Sequence, residues 1–144
     1  MKVKAMLAQK GSGVVTLRPD ATISSAIRML KLEGIGALAV SADGAHLQGI
    51  ISERDIVHGL VAHGAEVLQM RVAELMTAHP DTIAPGSAAI DALRLMQDGD
   101  YRHLPVVDGG KLCGIISIGD VVKNRLEDLE TEANVLRDYI VSRG

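Results

Sequence analysis

The stretch Gly49-Ile50-Ile51-Ser52-Glu53-Arg54-Asp55 returns 65 residues later as Gly114-Ile115-Ile116-Ser117-Ile118-Gly119-Asp120. The correspondence extends upstream. Thr16-Leu17-Arg18-Pro19 matches Thr82-Ile83-Ala84-Pro85 at an offset of 66, and Ile23, Ala26, Ile27 and Leu30 match Ala89, Ala92, Leu93 and Met96 at the same offset. Both sets have the i, i+3, i+4, i+7 spacing of one helical face. Ala37-Leu38-Ala39-Val40 then matches His103-Leu104-Pro105-Val106. The offset next drops by one, because the turn Ala42-Asp43-Gly44-Ala45-His46 is one residue longer than Asp108-Gly109-Gly110-Lys111. A chain that writes one unit twice folds it twice, and each unit reads strand, helix, strand, turn, strand, helix.

Local signals fit this order. Thr22 is placed to cap the first helix and Gly34 to end it, with Ser87 and Gly99 in those roles in the second half. Asp43-Gly44 and Gly109-Gly110 read as hairpin turns, and Leu47–Ser52 and Leu112–Ser117 as the strands that follow. The fold class is α/β (α+β), with two pseudo-twofold-related repeats, each a small three-stranded sheet with two helices on one face. Units of about 50 residues are marginal alone, so the two are expected to pack into one domain. The expected boundaries are 1–64 for the first repeat with its lead-in, 65–80 for a linker with a short helix at Val72, Leu75 and Met76, 81–126 for the second repeat, and 127–144 for a helical extension.

Composition narrows the function classes. The chain is 47% hydrophobic, yet it has no Trp, no Phe and two Tyr, so its core is aliphatic. It lacks the aromatic platforms that hold single-stranded nucleic acid, and its net charge of −3 also argues against a nucleic-acid partner. No apolar run reaches the roughly 18 residues of a membrane span, and the start MKVKAMLAQKG is too short and too broken by Lys for a secretory signal. A cytoplasmic protein without a membrane partner is expected. The single cysteine, Cys113, lies in a strand-like run and is expected to be buried and inert.

The repeated Ser-x-x-Asp has two readings. As a helix start, the Ser hydroxyl accepts the N3 backbone N–H and the acid answers it at the positive end of the helix dipole. As a ligand site, the free N–H groups of a helix N-terminus suit a phosphate, and an ionised Asp suits a vicinal diol. An apolar Gly-Ile-Ile strand precedes both copies, and phosphate, diol and apolar slot together describe a nucleotide. Basic residues are unequally distributed around the motif: Arg54 lies inside the first copy where the second has Gly119, while Arg102 and His103 stand where the first half has Gly36 and Ala37. With the halves facing each other, these cations converge on one shared cleft. An acidic protein with a local cationic cleft suits a small anionic ligand.

With its Gly-Ile-Ile-Ser-x-x-Asp ends and its Arg102-His103-Leu104-Pro105-Val106 segment, the chain resembles the tandem cystathionine-β-synthase-type domain pair (a CBS pair, or Bateman module) over about residues 8–126. The resemblance implies a non-catalytic regulatory module binding an adenosine-containing ligand between the repeats. AMP or NAD(H) lead, with ATP, ADP and S-adenosylmethionine in the same class; energy- or redox-state sensing would follow. It implies that Asp55 and Asp120 bind ribose hydroxyls and that Ser52 and Ser117 approach ribose or phosphate. Thr16 and Thr82, with the backbone near Ala37 and Leu104, border the adenine. Lys10, Arg54, Tyr101, Arg102, His103, Pro105 and Ile116 complete the implied ligand set. The first half departs from the pattern, with Ala39 in place of Pro105 and no Arg-His before it.

Other classes have weaker support. Histidines 46, 58, 63, 79 and 103 show no zinc-binding spacing, and Gly11-Ser12-Gly13 lacks the third glycine and preceding strand of a dinucleotide fingerprint. A ligand-independent dimeric scaffold is the main alternative. In the last helix Val122, Leu126, Leu129, Ala133, Leu136 and Ile140 alternate spacings of four and three, a heptad seam that runs past the globular part and points to a homodimer. No effector domain is recognisable, so a signal is expected either to pass to a regulated protein in trans or to remain a ligand-dependent change in the dimer.

Overall fold

The computed structural model describes residues 1–11 and 13–143. Ser12 and Gly144 lie outside them, so the centre of the Gly11-Ser12-Gly13 segment and the last residue of the helical extension are not described.

The first repeat contains β1 (Thr16–Leu17), α2 (Ile23–Glu33), β2 (Ala37–Val40), β3 (Gly49–Ser52) and α3 (Glu53–His63), preceded by α1 (Val3–Lys10). A 3-10 turn (Gly64–Gln69), α4 (Val72–Leu75) and β4 (Thr77–Ala78) lead to the second repeat, which contains α5 (Ala89–Gly99), β5 (His103–Asp108), β6 (Lys111–Ser117) and α6 (Ile118–Arg143). β1 pairs parallel with β2, while β3 pairs antiparallel with β2 (Leu38 opposite Ile51) and with β4 (Ile50 opposite Thr77). The first sheet therefore has four strands where three were expected, because the segment between the repeats adds one. In the second repeat β5 and β6 form an antiparallel pair with Leu104 opposite Ile116. The strand expected at Thr82 shrinks to a single parallel bridge, Ile83 to Val106, the counterpart of Leu17 beside Val40.

Caps and turns explain the element boundaries. Thr22 Oγ1 accepts the Ser25 N–H at 3.2 Å, and α2 ends on Gly34 in the left-handed region, as the sequence indicates. The second copy differs. Ala88, not Ser87, occupies the N-cap position of α5, and Asp100 rather than Gly99 takes the left-handed position after it. Ser87 stands one residue ahead of the position that matches Thr22, although the N–H of the first helical residue donates to the preceding segment in both copies, Ile23 to the Met70 carbonyl and Ala89 to the Met1 carbonyl, each at 2.9 Å. Gly109 and Gly110 both have positive φ and make the two-residue turn expected between β5 and β6. Residues 41–48 do not form such a turn, and β3 begins at Gly49 rather than Leu47. The Asp43 carboxylate holds that loop by accepting the Ala45 and His46 N–H groups at 2.8 Å each.

Two aliphatic cores result, and each is completed from outside its own repeat. Ile23, Ala26, Leu30, Leu38, Val40 and Ile51 form the first core, which Val67 and Val72 from the connecting segment complete. Ala92, Met96, Leu104, Val106, Ile116 and Val121 form the second, which Val3 and Met6 of α1 complete. Each repeat thus receives the segment that precedes the other. Matching single bridges anchor the two segments, Lys2 to Ala88 and Arg71 to Thr22. β2 lies against β6 between the cores. Cys113 is half-buried against the second core, more accessible than expected, and its thiol faces the Lys111 carbonyl at 3.5 Å.

Candidate functional site

Both Ser-x-x-Asp segments are complete capping boxes. Ser52 Oγ accepts the Asp55 N–H at 3.3 Å, and Asp55 Oδ2 accepts the Ser52 N–H at 2.9 Å. Ser117 Oγ accepts the Asp120 N–H at 3.1 Å, and Asp120 Oδ2 accepts the Ser117 N–H at 2.8 Å. Asp is therefore long enough for the reciprocal bond, and helix initiation accounts for both residue types. In both copies the bonds use Oδ2, so Oδ1 of each aspartate accepts no hydrogen bond among the described residues.

The two copies differ in their charged neighbours. At the second, Lys10 Nζ donates to Asp120 Oδ2 at 2.8 Å and to the Ile115 carbonyl at 2.9 Å, bringing the end of α1 over the motif. Burial would raise the Asp120 carboxyl, but the Lys10 ammonium and the Ser117 N–H outweigh it and hold the group below its ordinary value. Asp55 has no ion pair among the described residues. Arg54 beside it donates to the Asp100 carbonyl at 2.9 Å, reaching across to the second repeat.

A cleft of about 470 Å³ opens at the first motif. It brings together six of the residues singled out from the sequence, namely Ser52, Arg54 and Asp55 from the first repeat and Tyr101, Arg102 and His103 from the second. The cations Arg54 and Arg102 thus line one cavity from opposite halves. Register explains their approach: His103 pairs with Ser117 as Ala37 pairs with Ser52, so the residues before β5 project where the repeats meet. The His103 ring rests on Gly36, where a Cβ would come within 3.0 Å of Nε2, which is why a side chain at 36 would push the ring away. Burial, and then the nearby Lys10, lower the His103 pKa from its ordinary 6.5 and so favour the neutral ring. Tyr101 donates to Asp81 Oδ2 at 2.8 Å, and burial together with that carboxylate pushes its phenol up to about 12.

Thr77, His79, Asp81 and Asp100 also line this cleft and were not singled out. The pairing of β4 with β3 carries residues 77–81 to it, and that two-residue strand has no periodic signature in the sequence. His79 and Asp100 are the two non-glycine residues with positive φ among the described residues, and both line the cleft, where strained backbone is often found. A wider groove of about 760 Å³, mostly apolar, shares Gly36, Glu53, Arg102 and His103 with the cleft and reaches Ser117 and Ile118. His103 therefore borders both.

The remaining candidates lie elsewhere. Leu104 and Ile116 are fully buried in the second core, and Ala37 and Pro105 are buried in their strands. Thr16 is half-buried and Thr82 exposed, and neither lines the first cleft. Lys10 also lies away from that cleft, at the second motif.

Comparison with known proteins agrees with this architecture. The CBS domain family matches residues 11–62 and 72–127. The CBS domain-containing protein CBSX3, mitochondrial, of Arabidopsis thaliana is 32% identical over 125 residues, which are 84% of this chain; the chain spans 61% of that relative's length. The crystal structure of the CBS-domain containing protein ATU1752 from Agrobacterium tumefaciens is 42% identical, with a TM-score of 0.82 over 87% of this chain and 99% of that one. CBSX2, solved in complex with AMP, is 26% identical, with a TM-score of 0.70 over 88% of this chain and 97% of that one. Two CBS matches in tandem over most of the length, on a fold with small sheets, mutually completed cores and a long last helix, place this chain in the CBS domain family as a tandem CBS pair.

Proposed function

We propose that this chain is a non-catalytic regulatory protein that binds an adenosine nucleotide, AMP or NAD(H) foremost with ATP and ADP in the same class, between its repeats. It reports occupancy through its own dimer or to a regulated protein. The first cleft carries the reading: an Asp55 carboxylate without an ion pair among the described residues stands at a helix N-terminus, with Arg54 and Arg102 converging from opposite repeats. A carboxylate oxygen accepts from ribose hydroxyls, while guanidinium groups and helix N–H groups suit phosphate. Ser52 and His103 flank these groups, and Tyr101 adds an apolar ring. The AMP complex of CBSX2 supports AMP as the first ligand to try. The second motif, with Ser117, Asp120 and Lys10, offers the same carboxylate chemistry behind an ion pair. Thr16, Thr82 and the backbone at Ala37 and Leu104 are assigned to the adenine side, next to Pro105 and Ile116.

Calorimetric titration with AMP, ATP and NAD tests the reading, with 2′-deoxy-AMP as control. AMP should bind and raise the melting temperature through mass action on the native state. Absence of heat and of a melting shift for all three, in protein stripped of nucleotide, would end it.

A scaffold without ligand is the second reading. Its support is that both Ser-x-x-Asp pairs form reciprocal caps, which accounts for the residue types without a ligand. The seam of α6 is meanwhile exposed from Val122 to Ile140 and available for self-association.

A further inference from the structure

α6 is one continuous helix of 26 residues that starts at the Ser117–Asp120 cap and leaves the globular part. From Leu129 to Ser142 every side chain is exposed, so the chain's own domain does not cover the seam. Leu126, Leu129, Leu136 and Ile140 are 44–62% exposed, too much apolar surface on one helix face to leave in water. The repeat places Val122, Leu129 and Leu136 at heptad positions d and Leu126, Ala133 and Ile140 at positions a, which sets Arg125 and Glu132 at g and Glu130 and Arg137 at e.

These four charges suit a second copy of the same helix, and together with the bulk of the globular part they choose a direction. None forms an ion pair among the described residues. Glu130, Glu132 and Arg137 have no opposite charge three or four residues away on their own helix, so they are not placed for intrahelical support. In a parallel pair of identical helices, g of one heptad meets e of the next heptad in the partner. Arg125 of one copy then faces Glu130 of the other, and Glu132 faces Arg137; symmetry doubles both matches. An antiparallel pair centred between Leu129 and Ala133 sets Glu130 against Glu130 and Glu132 against Glu132. Sliding it one heptad toward the C-terminus matches only Glu130 with Arg137 and leaves Val122 and Leu126 uncovered. Sliding it the other way matches Lys123 with Glu130 and Arg125 with Glu132, as many contacts as the parallel pair, but runs each helix end alongside the partner's globular part.

We propose that α6 pairs with α6 of a second copy as a parallel, in-register, two-stranded coiled coil, specified by Arg125–Glu130 and Glu132–Arg137 contacts between copies. This rests on the dimer reading above and adds its geometry. Both globular parts then sit at the same end of the coil, and the first apolar layer, Val122, lies two residues after Asp120. A single helix joins the second Ser-x-x-Asp motif to the contact between copies.

Charge reversal in the full chain, read by sedimentation equilibrium, tests the direction. Glu130→Arg should raise the dimer dissociation constant by about five- to tenfold, because two attractive contacts become repulsive. Adding Arg125→Glu should restore dimerisation, whereas adding Arg137→Glu should weaken it further by opposing Glu132. All these positions are on the exposed face of the helix, and circular dichroism of each variant checks that helix content is kept. Rescue by Arg137→Glu or by Lys123→Glu would overturn the parallel arrangement and establish an antiparallel one. A dimer indifferent to Glu130→Arg would show that the contact lies elsewhere. A parent protein that stays monomeric would remove the dimer reading itself, a result separate from either.

Discussion

The Lys10 ammonium lies 2.8 Å from the Asp120 carboxylate, while Asp55, its counterpart in the first repeat, has no ion pair among the described residues. The two repeats carry the same motif in different electrostatic settings. The difference arises because α1 packs on the second core and carries Lys10 to β6 and α6, whereas the matching position before the second repeat is Met76.

Lys10→Met should lower stability near neutral pH by up to about 1 kcal/mol, the usual range for a partly exposed pair. The sign of its pH dependence follows from Asp120. A carboxyl held below 3.8 in the folded state contributes stability that is present above that value and lost as pH falls through the folded pKa. The gap between parent and variant should therefore close in acid. Urea denaturation from pH 7 down to pH 3 measures it, and a gap independent of pH would mean that the ion pair is not its source.

His103 predicts a change of the same sign at higher pH. Its folded pKa is below 6.5, so below that value the unfolded chain takes up a proton more readily, and its contribution falls as pH drops through 6.5. His103→Gln should flatten the change in melting temperature between pH 7.5 and pH 5.5. A parent and variant with parallel profiles would show that the ring titrates normally in the folded state.

Met6→Ala tests the exchange of segments. Met6 is 1% exposed in the core of the second repeat, although it precedes the first. Truncation should cost about 2–5 kcal/mol, the range for a buried Met replaced by Ala. A cost near that of an exposed residue, within about 0.5 kcal/mol, would contradict the packing of α1.

Asp55→Asn separates ligand recognition from capping. The amide keeps a side-chain oxygen for the Ser52 N–H, so the stability cost should stay below the roughly 1 kcal/mol of losing a cap. Affinity for AMP should fall about tenfold or more, since bonds to a charged acceptor contribute roughly 1.5–3 kcal/mol each. The parent should bind deoxy-AMP more weakly than AMP, and the variant should discriminate less. Equal affinities in the parent would leave Asp55 as a cap. The same change at Asp120 should cost more stability, because it also removes the charge that Lys10 pairs with.

Leu129→Glu with Leu136→Glu should dissociate the dimer, each placing a charge in an apolar layer. Sedimentation shows the outcome directly; an unchanged mass would move the contact away from the seam.

The amino-acid sequence by itself determined the repeat, the order of elements within it, the aliphatic core faces and the long last helix. These rest on periodicities of two and 3.6 residues and on local caps, which act over a few residues and need no partner. Ser52, Asp55, Ser117 and Asp120 were legible for the same reason, as a short motif written twice. Tertiary structure alone decided which core each lead-in joins, since α1 is two turns long and Met6 finds Met96 and Ile116 only through distant contacts. It set the α5 cap at Ala88, the position that matches Thr22, rather than at Ser87. It added β4 to the first sheet and so carried His79 and Asp81 to the cleft, although nothing periodic marks those residues. The inequality of the two motifs also belongs to it: Lys10 and Asp120 are 110 residues apart in the chain, and only the packing of α1 on the opposite repeat brings their charges together.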